Sequence, residues 1–205
     1  MNLEEYSLFL TAQSVEPSMI QTFFIVLWIM MPAYLANTIA VVTGGRLPID
    51  QGRIMGDGNR MLGDGKTWSG LLGGTIGGIA VGYLQLNFGN SIIDGIAGTN
   101  NETFWGDTPF LIFFLLAFGA LFGDLTASFF KRRQNLNRGD KYPLLDMYDF
   151  IVMSLLLTFI LGGGWLQTWI FDGTVPLFTL LIATPILHRG VNIIGFKIGL
   201  KNEPW

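Results

Sequence analysis

Cysteine is absent from the sequence, and histidine occurs once, at position 188. The first absence excludes disulfide bonds and thiolate chemistry. The second leaves too few ligands for a zinc site, so we assign no catalytic role to His188, which stands beside Arg189. Charged residues are also scarce, at 13% of 205, whereas hydrophobic residues make up 50%. That balance is typical of a polytopic membrane protein rather than a soluble globular domain.

Five hydrophobic stretches have the length of about 20 residues that a helix needs to cross a bilayer. They cover residues 20–43, 69–88, 108–130, 150–171 and 175–196. We therefore predict an all-α polytopic membrane protein with five transmembrane helices. Because no linker or block of charge divides the chain, we expect a single integral-membrane domain over residues 1–205.

The twelve lysines and arginines are unevenly distributed along the chain. They lie in the loop after the first stretch, in the loop after the third, and at the C-terminal end from Arg189 to Lys201. None lies in residues 1–19, 89–107 or 172–174. The positive-inside rule therefore predicts an outer N-terminus, a cytoplasmic C-terminus and cytoplasmic basic loops. The first 19 residues also lack the basic start that a signal peptide requires.

Glycines recur every four residues in the second hydrophobic stretch, in the pairs Gly73–Gly77, Gly74–Gly78 and Gly78–Gly82. Small residues at this spacing let the backbones of two membrane helices approach closely. Packing within the protein is the favoured interpretation. A homodimer interface is the alternative.

The stretch "GDGKTWSG" (63–70) stands where the second predicted helix begins. Its glycines leave backbone N–H groups accessible to phosphate oxygens, and Lys66 and Thr67 add a positive charge and a hydroxyl. The N-terminus of the helix adds partial positive charge. These features indicate a phosphate-binding segment, although a solvated turn before a helix has the same composition.

The stretch "GALFGDLTASFFKRRQ" (119–134) places a carboxylate at the end of the third hydrophobic stretch. On a helix, Asp124, Ser128 and Lys131 share one face, and Arg132 follows at the membrane surface. Ionisable groups within membrane helices usually have a function, because leaving them in hydrocarbon costs several kcal/mol. The group can hold Mg²⁺ and the phosphates that it bridges. A structural ion pair between Asp124 and a neighbouring base is the alternative.

The stretch "DKYPLLDMYDF" (140–150) carries two further carboxylates, Asp146 and Asp149, on one helix face. Capping of the helix that Pro143 opens would explain them structurally. However, the five-helix topology places both at the same cytoplasmic depth as Asp124. Three oxygen donors without a soft ligand select Mg²⁺. Together with the basic loops, they indicate phosphoryl or nucleotidyl transfer to a lipid at the membrane surface.

At these motifs the sequence resembles the CTP-dependent phosphatidate cytidylyltransferase superfamily, and most closely its archaeal branch, the CDP-archaeol synthases. The resemblance is carried by "GDGKTWSG", "GDLTASFFKRR" and "DMYDF", and by the glycine and proline of "RGDKYP". Met147 departs from the archaeal pattern, which has glutamine there. The Gly/His-rich run of the bacterial ester-lipid branch is missing from "YPLLD", which argues against that branch.

The resemblance implies a nucleotidyltransferase that transfers CMP from CTP to an isoprenoid glycerol ether phosphate, 2,3-bis-O-geranylgeranylglycerol 1-phosphate. The products would be CDP-archaeol and pyrophosphate, with Mg²⁺ as cofactor and no nucleic-acid partner. The active site would face the cytoplasm from the cell membrane. An ester-lipid phosphatidate cytidylyltransferase is one alternative. A cation-coupled transporter is another, although five spans do not divide into the two equal halves of an inverted repeat.

The resemblance also assigns roles to individual residues. The metal ligands would be Asp124, Asp146 and Asp149. These three, with Lys131, would form the catalytic group. The phosphates would be contacted by Ser128, Lys131 and Arg132. The nucleotide or the lipid phosphate would be bound by Asp64, Lys66 and Thr67. The lipid cavity would include Asn37, a polar residue inside the first span.

Overall fold

The computed structural model describes residues 17–89, 92–93, 105–137 and 139–199. Within these ranges the chain is helical, with two isolated β-bridges in the loop between the first two spans. The seven helices of the described residues are α1 (Met19–Ile29), α2 (Met31–Thr43), α3 (Trp68–Phe88), α4 (Pro109–Arg133), α5 (Pro143–Leu161), α6 (Trp165–Trp169) and α7 (Thr174–Lys197). The predictions made for residues 1–16, for Arg138 and for Lys201 concern residues outside these ranges.

Four helices, α3, α4, α5 and α7, are long and apolar enough to cross a membrane. The pair α1 and α2 makes a fifth candidate span if its two halves count as one, although they are bent by 40°. The expectation of an all-helical membrane protein is therefore confirmed. Two of the five expected helices differ from the structure: the one over 20–43 is broken, and the one over 150–171 has other bounds.

The first correction concerns the stretch 20–43, which is not one straight helix. Pro32 stands at the start of α2 and has no N–H to donate to the carbonyl of Trp28, four residues earlier. The side-chain amide of Gln85 on α3 donates to that carbonyl instead, at 2.7 Å. The break is thus stabilised by a neighbouring helix, as membrane helices require.

The second correction concerns the stretch 150–171. Its helix begins at Pro143, as the position of that proline indicated, but it ends at Leu161, where Gly162 caps it. Gly163 has a φ of 62°, a conformation that residues other than glycine rarely adopt, so the chain turns there before the short helix α6. Proline at the first position of α5 has the φ that a helix start needs.

The central helix is α4, which packs against α2, α3 and α5. Helix α3 contacts both α2 and α4 through its glycines, because a Cβ on Gly74, Gly78 or Gly82 would lie within 3 Å of one of these helices. The glycine-rich face thus serves packing within one chain, as expected, and is not available for a homodimer.

Helix α7 completes the bundle by packing on α1 and α5. It contains Pro185, which leaves the carbonyl of Leu181 without its helical donor. The hydroxyl of Tyr148 on α5 donates to this carbonyl at 2.7 Å. A second hydroxyl contact, 3.0 Å between Tyr34 and Thr184, joins α7 to α2.

Candidate active site

A cavity of about 610 Å³ lies between α1, α2, α4, α5, α7 and the start of α3. Acidic, basic and hydroxyl side chains line one part of it: Lys66, Thr67, Asp124, Asp146 and Asp149. Apolar side chains of α1, α2 and α7 line much of the remainder: Phe24, Leu27, Trp28, Met31, Leu35, Val41, Leu187, Val191 and Ile194. The cavity is thus matched to an amphiphilic ligand with a charged head and a hydrocarbon body.

Two glycines bring α4 and α5 unusually close beside the carboxylates. A Cβ on Gly119 would lie 2.6 Å from the Cα of Ser154, and a Cβ on Gly123 would lie 2.2 Å from the carbonyl oxygen of Asp149. Only glycine fits at these two positions. The backbone contact at Gly123 therefore places Asp124 next to Asp149.

Lysines neutralise two of the three carboxylates. The ammonium group of Lys66 lies 2.5 Å from Oδ2 of Asp124, and that of Lys131 lies 2.9 Å from Oδ1 of Asp146. Asp146 also accepts the backbone N–H of Tyr142 at 2.9 Å, so it caps α5. The ion-pair and capping interactions that the sequence offered as alternatives are both present in the fold.

Asp149 has a different environment from the other two. Its side chain is half-buried, and its Oδ1 accepts the N–H of Phe150 at 2.6 Å. Among the described residues it forms no salt bridge within 4.0 Å. The ring of His188 on α7 stacks on Phe150 at 6.3 Å, which places α7 close to this carboxylate.

Four residues with assigned roles do not line the cavity. Ser128 is buried within the bundle. Asp64 is exposed and pairs with Arg60 at 2.9 Å. Arg132 donates to the backbone carbonyls of Leu62, at 3.3 Å, and of Leu136. Lys131 is near the cavity only through its pair with Asp146. The structure thus gathers six of the ten expected site residues.

The sequence did not identify the side chains that α7 adds to the cavity. His188 and Asn192 line it and lie within 3.3 to 3.4 Å of each other. Asn192 is buried at 3% exposure, and a polar residue inside the fifth hydrophobic stretch was the signal that could have indicated it. Asn37 of α2 also lines the cavity, and its Oδ1 is buried and has no hydrogen-bond partner among the described residues.

The loop between α2 and α3, residues 44–67, is folded around a buried carboxylate, that of Asp50, which the sequence did not indicate. The side chain of Asp50 is fully buried and accepts hydrogen bonds from Nη2 of Arg60 at 2.6 Å and from Nε at 3.1 Å. The guanidinium of Arg60 and the backbone N–H groups of Gly63, Leu62 and Gly52 hold the pKa of Asp50 well below its usual range, although burial acts in the opposite direction. The hydrogen bond with Asp50 in turn raises the pKa of the Arg60 guanidinium.

This loop is attached to the C-terminal end of α4. Arg133 donates to Asp57 at 2.7 Å and to the carbonyl of Arg60 at 2.6 Å. The amide of Asn59 donates to Asn135 at 2.8 Å. The two most basic segments of the chain therefore meet on one face of the bundle, beside the cavity.

The carboxylates of Asp124, Asp146 and Asp149 are the candidate ligands for a divalent cation. Three carboxylates and no soft ligand suit Mg²⁺ by chemistry, and two of them, Asp124 and Asp146, are paired with lysine ammonium groups. In the described part of the chain, however, no three Asp, Glu or His side chains are grouped closely enough to hold a metal ion. The residues fit by type, and the lysines occupy carboxylate oxygens that a metal would use.

Comparison with known proteins identifies the family. A family model described as CarS-like CDP-archaeol synthase matches residues 19–205. The chain belongs to this family. A CDP-archaeol synthase of Methanospirillum hungatei is 45% identical over 177 residues, which are 86% of this chain and all of the relative. The CDP-archaeol synthase of Methanosarcina barkeri is 43% identical over 178 residues, with the same coverage.

A solved structure, described as an intramembrane enzyme for archaeal membrane lipids biosynthesis, is 38% identical with a TM-score of 0.60. The match covers 82% of this chain and 92% of the solved one. The protein is therefore a membrane-embedded enzyme, a CTP-dependent cytidylyltransferase of archaeal lipid biosynthesis. This confirms the resemblance that the sequence motifs indicated.

Proposed function

We propose that the enzyme transfers CMP from CTP to 2,3-bis-O-geranylgeranylglycerol 1-phosphate, an unsaturated ether-lipid phosphate, in a single membrane domain. An oxygen of the lipid phosphate attacks the α-phosphorus of CTP and forms the new P–O bond. The bond from the α-phosphorus to the bridging oxygen breaks, and its electron pair leaves with pyrophosphate. The products are CDP-archaeol and pyrophosphate.

The observation that carries this proposal is the cavity that joins a charged cluster to apolar walls. Isoprenoid chains suit the apolar side chains of α1, α2 and α7, while the lipid phosphate reaches Lys66 and the start of α3. Thr67 caps α3 by accepting the N–H of Gly70 at 3.2 Å, so partial positive charge is available there for a phosphate. Asn37, with its buried Oδ1, also lines this cavity.

In this proposal Lys66 is the main phosphate-binding charge. When a phosphate oxygen arrives, the ammonium group exchanges Asp124 for the phosphate and neutralises its charge. The carboxylate of Asp124 would then be available to Mg²⁺. Lys131 keeps Asp146 oriented at the start of α5. Asp124, Asp146 and Asp149 would hold Mg²⁺, which when bound neutralises charge on the phosphates of CTP. Asp64, Ser128 and Arg132 lie outside the cavity, and their contact with the phosphates or the nucleotide stays a prediction.

The proposed topology has five spans, an outer N-terminus and a cytoplasmic C-terminus in the cell membrane. Its support is the meeting of loop 44–67 with the end of α4, because four bases that form ion pairs among the described residues lie in these two segments: Arg60, Lys66, Lys131 and Arg133. By the positive-inside rule the face on which these segments meet is cytoplasmic. In this topology the site opens to the cytoplasm, from which CTP would enter.

The test is an assay of the purified protein with CTP labelled at the α-phosphate. Geranylgeranyl ether phosphate and phosphatidate compete as acceptors, with Mg²⁺ or with EDTA. We expect label in the ether lipid, released pyrophosphate, and no product in EDTA. Label found mainly in the ester lipid would replace the proposed substrate with phosphatidate. Label in neither lipid would refute the proposed reaction.

A further inference from the structure

The buried carboxylate of Asp50 has no place in the reaction described above, and it does not line the cavity. It is the most extensively hydrogen-bonded acid of loop 44–67. Besides both contacts with Arg60, it accepts the N–H groups of Leu62 at 3.0 Å, Gly63 at 2.9 Å and Gly52 at 3.2 Å. A carboxylate with this many donors is held in one orientation, and the backbone that donates to it is held as well.

The segment that Asp50 holds leads directly to Lys66. The carbonyl of Gly63 accepts the N–H of Lys66 at 3.2 Å, and the N–H of Ile49 donates to the carbonyl of Lys66 at 2.8 Å. The N–H of Lys66 is therefore bonded to Gly63, which itself donates to Asp50, and the carbonyl of Lys66 is bonded to Ile49, which precedes Asp50 in the chain. Gly63 has a φ of 97°, which is the backbone conformation that the turn into Lys66 requires.

The other end of this connection is the cavity. The Lys66 ammonium group lies 2.5 Å from Asp124. Next to this turn, the carbonyl of Leu62 accepts a hydrogen bond from Nε of Arg132 at 3.3 Å. This bond joins the turn to α4. Lys66 has a long, flexible side chain on a loop, so its position depends on how firmly the turn 63–66 is fixed.

From these contacts we infer that Asp50 is a positioning residue, which fixes the turn 63–66 so that Lys66 reaches the phosphate of the substrate. This inference rests on the phosphate-binding role of Lys66 in the proposed function. Arg60 belongs to the same unit, because its guanidinium holds both oxygens of Asp50. A shift of about 1 Å in a substrate-binding group can lower a rate about 100-fold.

A double-mutant cycle tests the inference, with cytidylyl transfer measured as kcat and as KM for CTP. The variants are Asp50→Asn, Lys66→Ala and the two together, and each is first shown to be folded by its thermal transition in detergent. We expect Asp50→Asn alone to lower kcat/KM about 10-fold or more. In the Lys66→Ala background we expect less than about a 2-fold further loss, because residues that act through one group are not additive.

Asp57→Asn is the matched control. Asp57 lies in the same loop and accepts the N–H of Asn59 at 3.1 Å and a guanidinium N–H of Arg133, but it does not contact the turn 63–66. We expect its kcat/KM to stay within about 2-fold of the parent protein. If Asp57→Asn lowers activity as much as Asp50→Asn, a general weakening of the loop explains the result and the inference is wrong.

The remaining outcomes separate the two proposals. Full activity of Lys66→Ala would refute the phosphate-binding role of Lys66. An equal loss from Asp50→Asn in both backgrounds, with Lys66→Ala impaired, would refute only the positioning role of Asp50. If Asp50→Asn does not fold, Arg60→Lys replaces it in the same cycle, since it weakens the hold on both carboxylate oxygens. The same pattern of non-additivity is then expected, and an additive loss would overturn the inference.

The position of the turn can also be tested without measuring catalysis. Because the chain has no cysteine, a single introduced cysteine can be labelled specifically. A spin label attached to Lys66→Cys reports the mobility of the turn. We expect Asp50→Asn to increase this mobility and Asp57→Asn to leave it unchanged. Unchanged mobility in Asp50→Asn would contradict the positioning role.

Discussion

The ammonium group of Lys66 lies 2.5 Å from Oδ2 of Asp124, although the two residues are 58 positions apart in the chain. Their side chains are 22% and 40% exposed. A partly exposed ion pair contributes about 1 kcal/mol or less to stability. We therefore expect Lys66→Met to change the free energy of unfolding by no more than that, while kcat/KM for CTP falls at least about 10-fold. Chemical unfolding in detergent and the transfer assay measure the two effects. A large loss of stability with normal activity would indicate a purely structural pair.

The close contact of α4 with α5 gives a prediction about Gly123. In Gly123→Ala the new Cβ would meet the carbonyl oxygen of Asp149 at 2.2 Å, so the helices must separate. Overpacking of this kind costs about 1–3 kcal/mol, and activity should fall because Asp124 and Asp149 move apart. Gly190→Ala on α7 is the control, because a Cβ there meets no atom within 4 Å. A thermal transition of Gly123→Ala equal to that of the control would contradict the contact.

Two side chains donate to carbonyls that would accept a helical N–H if proline did not stand four residues later, and each should contribute to stability. Gln85→Leu and Tyr148→Phe remove the donors to Trp28 and Leu181. We expect each variant to lose about 1–3 kcal/mol, because within a membrane no water replaces the donor that the carbonyl has lost. Tyr83→Phe is the control for the hydroxyl, since the ring contact of Tyr83 with Phe113 is retained. Thermal unfolding measures the three variants.

The depressed pKa of Asp50 predicts how loop 44–67 responds to acid. A carboxyl group with a lowered pKa in the folded state stabilises that state above the unfolded pKa, which is about 3.9. This stabilisation is lost as the pH falls below that value toward the folded-state pKa. We expect the N–H groups of Leu62 and Gly63 to stay protected from hydrogen exchange at pH 5 and to lose protection only below about pH 4. Loss of protection between pH 5 and 7 would contradict this account.

The helices could be predicted from the sequence because about 20 apolar residues in a row have few other uses. The glycine spacing of α3 also predicted its packing. The break at Pro32 was visible in the sequence, but the donor from Gln85 was not, since it comes from another helix 57 positions away. The start of α5 at Pro143 was expected, whereas its end was placed too late, because the hydrophobic stretch 150–171 continues through the glycines after Leu161.

The candidate site was predicted only in part, because its remaining features depend on contacts between distant parts of the chain. Motif residues that line the cavity, such as Asp124 and Lys66, were identified by the chemistry that they can perform. Asp50 was missed because an aspartate in a loop is usually exposed, and only the folded loop brings Arg60 and three N–H groups to it. Conversely, Arg132 has the charge of a phosphate ligand, yet its guanidinium is directed to the carbonyl of Leu62.

The central claim is that Asp124 belongs to the group of residues that performs cytidylyl transfer. The most direct test compares the transfer rates of Asp124→Asn and Asp107→Asn with that of the parent protein, using α-labelled CTP and the ether phosphate. Asp107 is an exposed aspartate before the opposite end of α4, so its variant controls for loss of a carboxylate. We expect Asp107→Asn to keep its activity and Asp124→Asn to lose about 100-fold or more, as electrostatic groups in active sites do. Equal rates for Asp124→Asn and the parent protein would contradict the account.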